Sequence, residues 1–529
     1  MQRALILAAA CTAGTATMIV ELAAVRLLAP WFGTSLPVWT NVLVVILLGL
    51  AVGYALGGRW SRGQAPLQLS ALVLAIGAVL AAALPWLAPT VAGLFMPAGA
   101  TLESARPLLT WGSLAASLML FLPPAIALGA VAPLWLETLT RAGHPGGSTN
   151  GLLACVSTLG SLVGSFACTH WFVPGFGLQA TFRIAGAALL VAAGLLAWSE
   201  RRRVSKGLVL LLAGAAVGAQ WLEAEQPAPA RGLRVLETRE TEYQSARIVE
   251  DSGSGYRYLQ VNEGFDSFQS VWSAREGPLG EGYYYDLFAL PSWWAPPAAG
   301  SVRLLVLGAG TASAARVLDG ALPAGRVVDA TLVELDDQVV ELGARWMDAA
   351  APGRRWLAGH DARTALALQS ESYDQIIVDA YANQIEIPPH LCSREFFELA
   401  AARLVPGGWL VLNVGGFGFE DPVVAAVAAT LASACGPRIL ALRVPAARNV
   451  VLLARRDAEL PLPGSAEFRP VESAPAELRV LAGRLELPGA WRLLGAEVGP
   501  VLTDDHNPIE TLQQLALARG RSRLQERAR

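Results

Sequence analysis

Two rhythms of hydrophobic and polar positions divide the chain. Up to residue 222 the apolar positions run almost unbroken, in stretches long enough to cross a bilayer, which takes about 20 residues as a helix. They lie at roughly 4–29, 37–58, 67–94, 108–139, 149–172, 178–199 and 205–222 and predict about seven transmembrane helices. The last is the shortest. The first is too long for a signal peptide, lacks a small-residue cleavage site and is followed at once by more spans. Gly57-Gly58, Gly160, Gly164 and the many alanines suit close helix contact, and Pro123-Pro124 predicts a kink in the fourth span.

Beyond residue 222 the pattern becomes that of a globular protein. Residues 223–233 read as a polar, proline-bearing linker. From 234 to about 275 the alternation is short: Arg247-Ile248-Val249-Glu250 and Tyr256 to Val261 flank Asp251-Ser252-Gly253-Ser254-Gly255, a hairpin signature that predicts a small antiparallel sheet. From 302 strands alternate with helices. Strands are expected at Arg303 to Leu307, Asp329 to Glu334, Ile376 to Asp379, Trp409 to Asn413, 438–444 and 449–454, with helices near 312–319, up to Trp346, 393–404 and 421–434. Such alternation implies a mostly parallel, doubly wound α/β sheet, Rossmann-like, with helices on both faces. The expected organisation is a transmembrane domain at 1–222, the linker, a small β-sheet domain with a pocket helix at 234–300, a nucleoside-binding catalytic domain at 301–517 and a basic tail at 518–529.

Composition sharpens this division. The chain is 53% hydrophobic and 16% charged, with mean hydropathy +0.43, whereas a soluble domain carries about a quarter charged residues. A single soluble domain, a disordered chain and a disulfide scaffold are excluded. Net charge is −3 and no basic tract exceeds Arg201-Arg202-Arg203, so no nucleic-acid partner is indicated. Cys11, Cys155, Cys168, Cys392 and Cys435 form no CxxC pair, and the five histidines are not spaced as metal ligands, so no metal site is expected. Lys206 is the single lysine, which removes P-loop and Schiff-base mechanisms from the globular half.

Charge also orients the spans. Arg3, Arg59 with Arg62, Arg141, and Arg201 to Lys206 fall on one side, so the amino terminus is expected in the cytoplasm of a multi-pass inner-membrane protein. Seven spans put the carboxyl half outside the cytoplasm; six keep it inside. Glu21 is the one carboxylate well inside a span, with Arg26 five residues on. Two readings stand: a polar site on a substrate path, or a Glu21–Arg26 pair that fixes helix packing.

Ligands of doubly wound sheets bind beyond the carboxyl ends of the strands, and chemistry collects there in this chain. Gly308-Ala309-Gly310 lets backbone approach a ligand. Glu334 ends the next strand, where an acid can accept both ribose hydroxyls. Asp361 is placed to meet an adenine edge, and Asp379 ends the strand beside the expected reaction centre. Gly310 is followed by Thr311, Ala312 and Ser313, not the rest of GxGxxG, which disfavours NAD and suits a nucleoside without a diphosphate.

These residues resemble the membrane-fused branch of the spermidine synthase family, the polyamine aminopropyltransferases. Val20-Glu21-Leu22 through Arg26 to Gly33 is similar to the multi-pass portion of that branch. Glu242-Tyr243-Gln244 resembles the family's YQ element, which implies that Gln244 contacts the donor. Asn262-Glu263-Gly264 takes the place of its LDG turn. Tyr284-Tyr285-Asp286 resembles the element facing the amine pocket, which with Tyr381 implies an acceptor side. Glu334 matches the ribose-binding glutamate, Asp361-Ala362 the adenine-binding pair, and Asp379 the first aspartate of DSSDP, the general base. Thr503-Asp504-Asp505 with Asn507 to Glu510 resembles a closing element of the fused branch.

The resemblance implies transfer of an aminopropyl group from decarboxylated adenosylmethionine to an amine, with no tightly bound cofactor. Three departures qualify it: Thr311 stands where GGGDGG has its aspartate, Ala382 replaces the second aspartate of DSSDP, and Asn383 the proline. They keep open an adenosylmethionine-dependent transferase with a lipid or other membrane-resident acceptor, and a transporter or sensor with a regulatory nucleoside domain. A homodimer is compatible with the sequence.

Overall fold

The computed structural model describes residues 2–32, 36–95, 111–199, 214, 232–261, 268–275, 277–278, 283–294, 300–323, 325–382, 386–444, 447–469, 472–513 and 515–516. The expected seventh span apart from residue 214, almost all of the linker, Asn262-Glu263-Gly264, Asn383 and the basic tail lie outside them. The described residues fall into two compact units. One holds the helices up to Ser199 with the turn Arg239–Ser245, and the other holds the rest.

The first unit contains α1 (Gln2–Phe32), α2 (Leu36–Trp60), α3 (Pro66–Phe95), α4 (Ser113–Leu120), α5 (Leu122–Arg141), α6 (Gly146–Ala167) and α7 (Val173–Ser199). Six of its helices are long and apolar enough to cross a membrane. The expected fourth span divides at Phe121 into α4 and α5. Pro123 and Pro124 occupy the first turn of α5, where a missing N–H costs nothing, and they cannot continue the helix before them. Helix α1 packs on α6, α2 on α5 and α3 on α7. Glycine makes two of these approaches close: a Cβ at Gly160 would collide with the Cys11 carbonyl, and one at Gly57 with that of Ala130.

Glu21 and Arg26 both lie on α1, about 140° apart around the axis at 100° per residue. Arg26 donates to the Thr241 carbonyl at 2.5 Å.

The second unit begins with a four-stranded antiparallel sheet, β1 (Leu233–Glu240), β2 (Ser245–Asp251), β3 (Arg257–Val261) and β4 (Ser270–Trp272). The predicted hairpin is β2–β3, with Ile248 opposite Leu259. A larger sheet follows, of eight strands: β5 (Ser301–Leu307), β6 (Val327–Glu334), β7 (Arg354–Ala358), β8 (Tyr373–Val378), β9 (Leu404–Gly415), β10 (Ile439–Arg443), β11 (Asn449–Arg455) and β12 (Trp491–Leu494). Their spatial order is β12-β10-β11-β9-β8-β5-β6-β7. The sheet is mixed. Strands β5 to β9 are mutually parallel, while β11 runs antiparallel to β9 and to β10, and β12 antiparallel to β10.

Both faces of this sheet are buried, and β5 shows why its sequence is apolar throughout. Leu304 and Val306 enter one core with Val317 and Leu318 of α9 (Ser313–Ala321); Leu305 and Leu307 enter the other with Phe396 and Val424. Those last two belong to α12 (Arg394–Ala402) and α13 (Pro422–Cys435). Between β6 and β7 lies α10 (Asp337–Trp346), whose Val339 and Leu342 pack on Ile248 and Leu259 of the small sheet. Helix α11 (Ala362–Leu368) follows β7. The pocket helix expected from Tyr284-Tyr285-Asp286 is a 3-10 turn, Tyr284–Ala289, running into the short α8 (Pro291–Trp294).

Candidate functional site

Parallel register gathers the strand-end groups. Leu307 pairs with Val333 on one side and Val378 on the other, so Gly308, Glu334 and Asp379 leave the sheet at one level. The turn after β5 is held by N–H donation from Gly308 and Ala309 to the Val333 carbonyl, at 3.0 and 2.9 Å, and by the Asp379 N–H on Leu307 at 2.9 Å. Gly308 has φ +84°, and a Cβ there would lie 2.5 Å from Ala380 Cα and 2.6 Å from the Asp379 carbonyl oxygen. Gly308→Ala is therefore expected to destabilise the second unit by about 1–3 kcal/mol. A thermal unfolding midpoint equal to that of the parent would contradict this.

Glu334 faces the same turn. Its Oε2 accepts the Gly310 N–H at 2.8 Å and its Oε1 the Asp336 N–H at 3.1 Å. Burial raises its carboxyl above the ordinary range, against the pull of those amides. Asp361 is the N-cap of α11: Oδ1 accepts from Thr364 N–H at 2.9 Å, and Oδ2 lies 2.8 Å from His390 Nε2. Its burial alone would raise it, but the Thr364 and His390 bonds prevail and hold it below the usual range. Ala362, the first residue of α11, is buried.

Asp379 follows the last residue of β8. Tyr284 donates its hydroxyl to Oδ2 at 3.0 Å, and Asn413 donates Nδ2 to Oδ1 at 2.9 Å. Burial pushes the carboxyl up to about 7 despite both bonds. The Tyr284 and Tyr285 rings are tilted by 36° with centroids 4.1 Å apart, and burial raises both phenols, so they stay neutral donors. The Tyr285 hydroxyl donates to the Gln269 carbonyl at 2.7 Å, and Gln375 Nε2 of β8 donates to the Phe288 carbonyl at 2.8 Å, which pins the turn over the sheet. Tyr381 bridges the end of β9, donating to the Asn413 carbonyl and accepting the Gly415 N–H, each at 2.9 Å. Asp286, expected on the acceptor side, is buried at 1% exposure.

Thr311 stands apart from the other candidates. It is fully buried and its side chain crowds Gly343 of α10, while its N–H donates to Ser270 Oγ at 3.1 Å. Gln244 lies in the turn Arg239–Ser245, grouped with the first unit, where its N–H donates to Thr241 Oγ1 at 3.0 Å.

Sequence reasoning passed over several residues that hold this site. Asn413 and Asn449 are read from the strands as ordinary positions. Arg316, which burial pushes down to about 9, donates to the carbonyls of Thr311 at 2.6 Å, Met347 at 2.8 Å and Val271 at 2.9 Å, tying the glycine turn to β4. The closing element is tied down too. Asp504 takes both guanidinium arms of Arg363 at 2.6 Å, which hold its carboxyl near about 2, and Asn507 Nδ2 donates to the Pro389 carbonyl at 2.7 Å. Among the described residues no His, Cys, Asp and Glu cluster could hold a metal ion.

No family model matches the chain. It is 28% identical over 298 residues to the probable polyamine aminopropyl transferase of Bifidobacterium longum (strain NCC 2705), covering 51% of this chain and 63% of that protein. It is 27% identical over 305 residues to the polyamine aminopropyltransferase of Mycobacterium tuberculosis (strain ATCC 25618 / H37Rv), covering 54% and 56%. The chain is similar to polyamine aminopropyltransferases. It spans about six-tenths of the length of these curated relatives. Among solved structures, a probable spermidine synthase from Corynebacterium glutamicum ATCC 13032 aligns with TM-score 0.41 and 22% identity, over 53% of this chain and 97% of that one. The spermidine synthase of Thermotoga maritima aligns with TM-score 0.34 and 16% identity, over 46% and 77%.

Proposed function

We propose that this protein is a spermidine synthase-like aminopropyltransferase, moving an aminopropyl group from decarboxylated adenosylmethionine to an amine. The observation that carries the reading is Asp379: a carboxylate at a strand end, beside a glycine turn, buried enough to titrate near neutrality and bonded by two neutral donors. In this reading Glu334 accepts the ribose hydroxyls, Asp361 and Ala362 address the adenine, and Gly308 and Gly310 admit the nucleoside close to backbone. Asp379 accepts a proton from the acceptor ammonium. The freed lone pair attacks the carbon beside the sulfonium, the C–S bond breaks, and its electron pair stays on sulfur as a neutral thioether. Tyr284, Tyr285 and Tyr381 then line the acceptor side.

The pH dependence follows from the position of Asp379. A raised carboxyl is protonated, and inactive as a base, below about 7, so kcat/KM is expected to climb about tenfold per pH unit and level off near that value. A profile flat from pH 5.5 to 8.5 would remove Asp379 from the role. The direct test incubates purified full-length protein with decarboxylated adenosylmethionine and a panel of amines and reads products by mass spectrometry. An aminopropylated amine with equimolar thioether is expected.

Thr311 favours keeping a second reading. Its buried side chain offers no negative charge to the tail ammonium of an aminopropyl donor, which an acidic residue there would grip. The same incubation with adenosylmethionine and extracted lipid separates the two, since methyl transfer leaves a methylated lipid.

A further inference from the structure

We propose that Asn413, oriented by Asn449, is the positioning residue that keeps Asp379 ionised and aimed at the acceptor nitrogen. The proposal rests on the reading of Asp379 as the base.

A half-buried carboxylate at the end of a strand needs donors, because an unpaired charge out of water is costly. Tyr284 supplies one, from an aromatic turn. Asn413 supplies the other, and a carboxamide alone is ambiguous: turned over, it would present its oxygen to Asp379 and repel it. Asn449 matches the donating orientation. Its Nδ2 donates to Asn413 Oδ1 at 2.8 Å while the Asn413 NH2 faces the carboxylate. The direction of donation runs Asn449 to Asn413 to Asp379, and an ionised carboxylate, which only accepts, is the end that fits it.

Register builds this chain. Asn413 of β9 lies opposite Val451 of β11, and Asn449 is two residues along β11, so the two amides share one face as diagonal neighbours. Across β8, Val378 pairs with Leu412, which brings Asp379 beside Asn413. Neighbouring strand positions are Leu412, Val414, Val450 and Val451, all buried and apolar. Asn413 is itself only 6% exposed. Two amides in such a place are accounted for by what they end on. Tyr381 adds a second hold on the same residue through the Asn413 carbonyl.

The titratable groups facing Asp379 are Tyr284 and Tyr285 from the 3-10 turn and Tyr381 from the segment after β8, all kept neutral by burial. From β9 it meets the Asn413 amide, which Asn449 of β11 backs.

The test uses full-length protein in detergent and three variants, Asn413→Leu, Asn449→Ala and Asn449→Gln, the last keeping a donor amide. Expected is an upward move of the acid limb of kcat/KM by about one pH unit in the first two, so that turnover falls about tenfold at acid pH and recovers at alkaline pH. Asn449→Gln should stay close to the parent. A loss equal at every pH, or an unmoved limb in both variants, overturns the proposal. If the parent forms no product, the transferase reading fails instead. The positioning claim is then read by calorimetry, as the preference for cationic decarboxylated adenosylmethionine over its neutral thioether product, methylthioadenosine, against pH. That preference grows as Asp379 ionises, and its midpoint must move up in Asn413→Leu and Asn449→Ala. A midpoint that stays in place overturns the claim on this readout too.

Discussion

Asp379→Asn is expected to lower turnover on the order of a thousandfold, with the affinity for methylthioadenosine held within about twofold. The asparagine keeps the shape of the carboxyl, and its oxygen still accepts from Tyr284. Its amide nitrogen, however, meets the Asn413 NH2, so two donors face one another where a donor met an acceptor. The nitrogen cannot take a proton from an ammonium, and the acceptor stays charged and non-nucleophilic. Donation of the Asp379 N–H to the Leu307 carbonyl does not depend on the side chain, so it survives and the nucleoside end is expected to keep its shape. Rates by product mass spectrometry and affinities by calorimetry decide it. Turnover within tenfold of the parent would remove Asp379 from catalysis.

Glu334→Gln is expected to weaken nucleoside binding roughly a hundredfold, about 3 kcal/mol, with any residual turnover keeping its pH profile. Both oxygens of this carboxylate accept backbone N–H groups, from Gly310 and from Asp336. A glutamine offers one oxygen, so one N–H is opposed by an amide N–H, and the glycine turn loses the bond that shapes it. The charge that would strengthen two ribose hydroxyl bonds is lost as well. Calorimetry with methylthioadenosine gives the answer, and an affinity within twofold of the parent would reassign Glu334 to a purely structural role. The two variants thus separate: one leaves binding and loses chemistry, the other loses binding.

Much of this was legible along the chain because strand ends are a local property. An apolar run closed by an acid, as at Glu334 or Asp379, marks both the strand and the edge from which its side chain leaves. The strands β7 and β12 and the helix Ala476–Leu485 escaped notice, being short or weakly periodic: Arg354-Arg355 opens β7 and Arg492 interrupts β12. The antiparallel insertion of β11 between β9 and β10 carries no mark in the run of apolar residues. It follows from the antiparallel pairing of β11 with both β9 and β10 and from the packing of both faces.

The sequence by itself determined the division into an apolar helical half and a globular half, the α/β alternation, and the acids at the strand ends, because each depends on residues a few positions apart. Tertiary structure alone decided the proton affinity of Asp379, the seating of Thr311 against Gly343 and the partner of Arg26. Burial depends on what covers a group, and the Asn449–Asn413–Asp379 chain joins three residues that strand register, not sequence distance, makes neighbours.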